Sequence, residues 1–566
     1  MRAFAAIVPS SRLYVIANEA TLLHLLWRAL WRSPTVVLAV EPFIPHFGGL
    51  MERLVKRLVG TGRIQQHKSG LVHFHAEQSG FPGTVEPWIS EHFAFSKSHR
   101  LEEYDLVYRK ICHKYAMRRG NIIFSLMQIE TDLCSGSTLS GADADLLGLY
   151  TVYTGRNLPS QTAAARAGFR FIASMIVFCL ATVGLVRLLG RIRISPPVRP
   201  CFLAVDRLPD DRDGELFAAL QGGGVSVLYV ARSKEWFRRA ADWVMAGSGR
   251  IPLRAAASTL NHYIKGIALL GRHALEKHPR LAFDLAVLPM QRMLIRTDLG
   301  TYPCRYFWAR DEYNGEHVLR TLELHRIGAV SLGLMHGIPL VGRQAYLWRY
   351  VSFDTFFVSG DWLAEEFADT WPRDMEVRAI GSFGLSANFL QDLPPLRNRP
   401  KRILIFVNLV PDLTLAEAVI AELCRSFPDR PVCLKMKQVW REIPDIRAMR
   451  ARLAQNANFE DTTESPYVMM GKAQIAFSTP STVVLEAIQA RIPTFVIDET
   501  TSPTNLCFRK VPGLCISSPA GAVEKVRAMG DDAVGYDWAG AGKFTPLDGR
   551  NFTTTVSHAM GLSHAV

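Results

Sequence analysis

The chain is poor in the signatures that assign a protein quickly. None of its 566 residues falls in a G-x-x-x-x-G-K-[ST], H-E-x-x-H or G-x-S-x-G motif. Cysteine is sparse: nine residues, at 112, 134, 179, 201, 304, 424, 433, 507 and 515, form no C-x-x-C pair and are odd in number, so a reducing compartment is expected. No long Gly, Pro, Gln or Ser tract occurs, and 48% hydrophobic against 21% charged residues excludes a disordered chain. The N-terminus carries one Arg and a six-residue apolar run, too short for a signal-peptide core, so the chain is expected to start in the cytoplasm.

The length implies about two to four domains. Lys and Arg number 65 against 52 Asp and Glu, a net charge of +13, which admits nucleic acid, an anionic membrane surface or a phosphate-bearing small molecule as partner. The basic residues are dispersed with no DNA- or RNA-binding signature beside them, so nucleic acid is set aside.

Phe171 to Val186 runs sixteen residues without a charge, and extends to Gly190 if Arg187 snorkels. Sixteen residues make about 24 Å of helix, short of a hydrocarbon core of roughly 30 Å. Arg166 and Arg170 before it and Arg187, Arg191 and Arg193 after it give no orientation, and fit a helix lying in one leaflet better than a span. A buried core helix is the rival reading. A second hint is Leu23 to Arg32, where Trp27 and Trp31 stand beside Arg28 and Arg32; surface helices of soluble proteins share that pattern.

The first seventy-five residues alternate apolar runs (Ala3 to Val8, Leu13 to Ile16, TVVLAVEPF, LVHFH) with helical patterns such as Gly49 to Val59, a βαβ rhythm. The role of residues 1–165 stays open. Residues 166–200 hold the apolar helix and a Pro linker. A new strand and helix series then runs over 201–392, and after the Pro-rich hinge DLPPLRNRPK (392 to 401) the cycle restarts over 393–566. Strands that are near-continuous apolar runs separated by helices predict parallel sheets covered on both faces. The fold class is therefore α/β, two Rossmann-like parallel-sheet domains facing a cleft, with an extra N-terminal α/β region. Ligands belong at the strand C-terminal ends.

Ala476 to Asp498 reads as a strand, a hydroxyl-rich turn and a helix starting at about Ser481. Free N–H groups there, with Ser478, Thr479, Ser481 and Thr482, suit a phosphate, and Glu486 one turn on can accept from ribose hydroxyls. Ser481 as a plain N-cap and Glu486 as a solvated residue remain the alternative. His336 follows the strand AVSLGLM and precedes Gly337 and Pro339, so it sits at a strand end; its pKa of about 6.5 suits proton removal from a hydroxyl, against a structural role in the loop. Asp311 and Glu312 end another strand as candidate bases or as a solvated turn, and Arg310 beside them can bind an anion. His73 and His75 share a strand face but lack a third metal ligand. Gly222 to Gly224 reads as a helix stop.

The combination S-T-P-S-T-x-x-x-E-A-x-x-x-x-x-P-x-x-x-x-D resembles the nucleotide-binding half of GT-B glycosyltransferases of bacterial capsule, lipopolysaccharide and teichoic-acid assembly. G-L-M-H-G-I-P-L-V-G (333 to 342), F-V-S-G-D (357 to 361) and A-I-G-S (379 to 382) are similar to blocks of the glycerophosphotransferase and capsule-polymerase group. The resemblance covers roughly residues 300 to 500. It implies a nucleotide-activated donor in the C-terminal domain, with Ser481, Thr482 and Glu486 at donor phosphate and ribose, and His336 near the transferred group. Where many relatives carry a basic-x-His-Pro element, this chain has Leu434-Lys435-Met436-Lys437-Gln438; Lys435 or Lys437 can hold a phosphate as a point charge instead.

The expected function is therefore metal-independent transfer of a sugar from a nucleotide-sugar donor, a substrate and not a cofactor, to a growing surface glycan or lipid-linked acceptor. The protein is expected in the cytoplasm, peripheral on the inner leaflet through 171–190. The alternatives are a CDP-alditol phosphotransferase of the teichoic-acid type and a catalytically silent GT-B scaffold.

Overall fold

Of the first 165 residues, the computed structural model describes five short strands and the segments 102–128 and 144–156; from 166 to 562 it describes all but a few loops, the longest of them 233–241, 340–345 and 499–506. The readings made on Ala3 to Val8, Leu23 to Arg32, Gly49 to Val59, His73 and His75 lie outside the described residues. The chain divides into two compact units, one of residues 1–184 and 263–290, the other of 185–262 and 291–566.

In the N-terminal unit, β1 (Leu13–Ile16), β2 (Thr35–Val40), β3 (Ile64–Gln66), β4 (Leu139–Ser140) and β5 (Ser160–Gln161) form one parallel sheet in the order β3-β2-β1-β4-β5. Helix α1 (Asp105–Gln128) belongs to this unit, with Val107, Cys112 and Ile123 fully buried. Helix α2 (Arg166–Leu189) carries the apolar segment. It is no core helix: Phe178 is 67% and Val186 62% exposed, and Met175, Val183 and Leu189 also face out. Nor does any helix among the described residues have the length and apolarity to cross a membrane.

The second unit holds two parallel sheets. After β6 (Ile192–Arg193), the strands β7 (Cys201–Val205), β8 (Val227–Ala231) and β9 (Trp243–Met245) precede β10 (Ile251–Pro252), which pairs with β6 in a two-stranded ribbon. Helices α3 (Leu253–Lys277) and α4 (Pro279–Thr301) follow, their residues 263–290 counted with the first unit, then β11 (Cys304–Ala309), α5 (Glu316–Arg326), β12 (Val330–Leu334), β13 (Thr355–Val358) and β14 (Glu376–Ala379). The seven-stranded order is β14-β13-β12-β11-β7-β8-β9. The third series is β15 (Ile403–Val407), β16 (Val432–Met436), β17 (Phe459–Thr462), β18 (Ile475–Ser478), helix α6 (Val483–Gln489), β19 (Thr494–Ile497) and β20 (Cys515–Ile516), ordered β17-β16-β15-β18-β19-β20. All pairings are parallel, as the apolar runs predict. Every residue of β8 and of β15 is buried, because helices cover both faces of each sheet.

Packing explains how the sheets hold. Trp308 on β11 is fully buried against Phe217, Phe357 and the partly buried Phe552, an aromatic cluster in which each fully buried phenyl ring contributes about 1.5–3 kcal/mol by leaving water. Phe552 lies on the last helix, Phe552–Ala559, so the C-terminus returns to the seven-stranded domain. Glu323 on α5, fully buried, bonds Arg292 and Arg296 of α4 at 2.7 and 2.8 Å and Arg326 at 2.7 Å. Burial pushes its pKa up, yet Arg296, then Arg292 and Arg326, outweigh that and bring it down to about 2.

One local expectation changes. Helix α6 starts at Val483, not at about Ser481: Thr482 is its N-cap residue, and the Ser481 hydroxyl accepts from the Val483 N–H at 3.5 Å. The Pro-rich segment 392–401 is anchored at its C-terminal end. Buried Arg399 donates to the carbonyls of Pro394, Met470 and Ala490, which staples the segment to the six-stranded domain.

Candidate active site

The adjacency β12-β11-β7 brings three strand ends together that lie far apart in sequence. His336 follows β12, Asp311 and Glu312 follow β11, and Asp206 follows β7. Because all three strands run the same way, their polar residues gather on one edge of the sheet, where α/β proteins bind ligands.

Glu312 is fully buried, and its Oε1 accepts the main-chain N–H of His336 at 2.6 Å. The carboxylate thus fixes the backbone of the His-Gly turn. The imidazole itself is exposed, and meets the Tyr313 ring edge-on at 5.4 Å. Asp311 is buried and bonds Arg320 at 2.6 Å, with Arg232 3.9 Å away. Burial raises its pKa, but Arg320 and then His317 prevail and hold the carboxyl below its ordinary range. Arg310 is also buried, 3.8 Å from Asp213, itself bonded by Arg207 at 3.0 Å. Asp311 and Arg310 are therefore members of an internal ionic lattice.

Asp206, at the end of β7, joins this edge without a motif to mark it. Its Oδ2 accepts the Arg310 main-chain N–H at 3.5 Å, and burial together with Asp311 pushes its pKa up to about 6, against Arg320, Arg207 and Arg232. The signal was available: it is the acidic residue that ends the first strand of a parallel series, the same position type that singled out His336 and Asp311.

On the six-stranded sheet, the hydroxyl-rich turn after β18 separates into two pairs. Ser478 and Thr479 are fully buried; Ser478 Oγ donates to the Thr479 carbonyl at 2.6 Å, and Thr479 Oγ1 accepts the Asn408 N–H at 2.7 Å. The Thr479 hydroxyl ties the end of β18 to the end of β15. Ser481 and Thr482 are partly exposed and remain available to a ligand. Glu486 is buried, and a Cβ at Gly384 would stand 2.9 Å from its Oε1 and 2.7 Å from the Tyr467 hydroxyl. It faces the turn after β14 as well as its own helix. Lys435, at the end of β16, donates to the Thr463 carbonyl at 3.3 Å, and burial lowers its pKa. Lys437 is exposed and lies over the Trp440 ring at 4.8 Å.

The two edges meet. A Cβ built on Gly337 would stand 3.4 Å from Thr482 Oγ1 and 3.5 Å from the Tyr313 hydroxyl. Nearby, the Ser382 N–H donates to Gln489 Oε1 at 2.6 Å. The structure thus brings the turn after β12, at Gly337, close to Thr482 of the other sheet, and leaves Lys435, Ser478 and Thr479 in structural contacts.

No protein-family model and no curated protein matches the chain. Among solved structures it is similar to a UDP-GlcNAc 2-epimerase from Neisseria meningitidis bound to UDP-GlcNAc, 12% identical, covering 65% of this chain and 100% of that one with a TM-score of 0.41. It is similar to Os79 from O. sativa in complex with U2F and trichothecene, 11% identical over 64% of this chain and 100% of that one, TM-score 0.40. The calicheamicin glycosyltransferase CalG4 is 14% identical over 64% of this chain and 98% of that one, TM-score 0.37. These are likenesses of fold alone.

Proposed function

We propose that the protein is a GT-B glycosyltransferase that moves a sugar from a nucleotide-activated donor to a hydroxyl of a surface glycan or lipid-linked acceptor. The observation that supports the reading is the meeting of the two strand edges at Gly337 and Thr482, since Gly337 directly follows the exposed His336 and Thr482 belongs to the hydroxyl-bearing turn of the other sheet. Donor phosphates take hydrogen bonds from Ser481 and Thr482, with Lys437 as a mobile point charge and Lys435 behind it. Glu486 accepts from the ribose hydroxyls. His336 removes the acceptor proton as the oxygen attacks the anomeric carbon; the bond from that carbon to the donor phosphate breaks, and the nucleoside diphosphate leaves with the electron pair. Glu312 positions the His336 backbone, and Asp311 with Arg310 holds the strand end in place. The exposed apolar face of α2 keeps the protein at the inner leaflet near a lipid-linked acceptor.

Thermal shift against UDP, GDP, CMP, CDP and dTDP tests the donor site, since a ligand that binds the folded state alone raises the midpoint. A nucleoside diphosphate of a sugar donor should shift it, and Ser481→Ala with Thr482→Ala should weaken binding by roughly 1 to 3 kcal/mol. A shift with CDP alone would favour alditol-phosphate transfer. No shift with any nucleotide would leave the fold as a scaffold.

A further inference from the structure

Beyond the donor turn, the second unit contains an arginine-lined cavity of about 660 Å³ at the outer end of the seven-stranded sheet. Arg187, Arg191, Arg232 and Arg250 line it, with Asp298 and Glu316 as its acids. Arg232 follows β8 and residues 246–248 follow β9, so the cavity opens on the same sheet edge as Asp206 and Asp311.

The four guanidinium groups are not equivalent. Arg191 is buried and held by the Thr297 hydroxyl at 2.6 Å, by the Gly247 carbonyl and by Asp298 at 3.7 Å. Asp298 in turn accepts the N–H groups of Gly247 and Gly249, both at 2.8 Å. That pair is the floor. Arg232 lies 3.3 Å from Glu316. Arg250 donates to the Gly190 carbonyl at 2.8 Å, and neither it nor Arg187 has an acidic partner among the described residues. Four cations against two anions leave a surplus of two positive charges. The crowding is felt at Arg191, whose pKa is lowered by burial first and then by Arg187 and Arg250, against Asp298.

We infer that this cavity is a second anion site, built to take a phosphate or diphosphate group. Arginine forks match phosphate oxygens in pairs, and a dianion cancels the surplus charge. The volume falls within the range of small-molecule sites, so the group is carried on a larger body. Val186, Leu189 and Ile194 are exposed apolar residues of this unit, close in sequence to Arg187 and Arg191. The phosphate therefore belongs either to a water-soluble compound or to an amphiphile whose tail lies on that face. The inference rests on this cavity and not on the transferase reading.

Calorimetric titration of the full chain with pyrophosphate tests it. Pyrophosphate should bind, and Arg187→Gln with Arg250→Gln should weaken it at least tenfold, while Arg425→Gln with Arg447→Gln, the same charge loss on an exposed surface, should leave it unchanged. Arg187→Gln alone serves as the variant that touches no hydrogen bond or ion pair among the described residues, with an expected loss of at least threefold. Absence of pyrophosphate binding, or equal loss in both double variants, overturns the site. Nucleotide binding is scored separately, so failure here leaves the donor site standing. Farnesyl diphosphate then separates the two sources: tenfold tighter binding than pyrophosphate, lost in Val186→Ser with Leu189→Ser, identifies an amphiphile, and equal binding identifies a soluble phosphate compound.

Discussion

The main-chain N–H of His336 donates to Glu312 Oε1 at 2.6 Å, so a fully buried carboxylate at the end of one strand holds the turn at the end of the next. Glu312→Ala removes that acceptor from a site water does not reach. It should lower stability by about 2 kcal/mol, the range for a hydrogen bond to a charged group, and Glu312→Gln should lose less than half as much. Denaturant midpoints of the two variants decide it; equal midpoints for Glu312→Ala and the parent would mean that the bond contributes nothing.

The imidazole of His336 is exposed while its backbone is fixed, which separates a chemical role from a structural one. His336→Ala should reduce turnover about 100-fold or more with nucleotide affinity nearly unchanged, because loss of a general base acts on the transition state. A variant of near-normal rate would transfer the role to a carboxylate of the same edge, and Asp206 would be the next to change.

Burial first, then Asp311, pushes Asp206 up to about 6, above the ordinary carboxylate value of about 3.9. A folded pKa above the unfolded one means the folded state holds the proton more tightly. Ionising Asp206 therefore costs stability as the pH rises from about 4 through about 6. Asp206→Asn should be neutral near pH 4 and stabilising near pH 7.5, on the order of 2 kcal/mol. Unfolding curves at the two pH values check the sign; a variant that loses stability at pH 7.5 would show that its lattice needs the charge.

Gly381 stands at φ +77°, and a Cβ there would lie 2.8 Å from the side-chain amide nitrogen of Gln489, whose oxygen accepts the Ser382 N–H. Both the backbone conformation and the close approach require glycine. Gly381→Ala should cost about 1 to 3 kcal/mol and loosen the contact between the two sheet domains. A lower melting midpoint with broader proteolysis near 381–390 is the expected result, and an unchanged midpoint would show that Gln489 swings aside without loss.

The alternation of apolar runs and helical patterns was legible for the central strands of both sheets, because a parallel strand buried on both faces must be apolar throughout, while the outer strands β9, β17 and β20, short or only partly buried, carry no such run. Strand-end positions follow from the same pattern, so His336, Asp311 and Glu312 could be read from the residues that precede them. What lay beyond the sequence was the order of strands. Only the adjacency of β7, β11 and β12 makes Asp206 a neighbour of Asp311, and only the meeting of the two sheets puts Gly337 beside Thr482. Four hydroxyls looked alike in the turn after β18, yet burial took Ser478 and Thr479 inside, where Thr479 bonds the distant Asn408, and left Ser481 and Thr482 partly exposed. The apolar helix was ambiguous for the same reason: its composition fits a core or a lipid surface equally, and only the exposure of Phe178 and Val186 removes the core reading. Local chemistry set each element, while charge gathered from residues 187, 191, 232 and 250 required the fold, since like charges come together only where packing holds them.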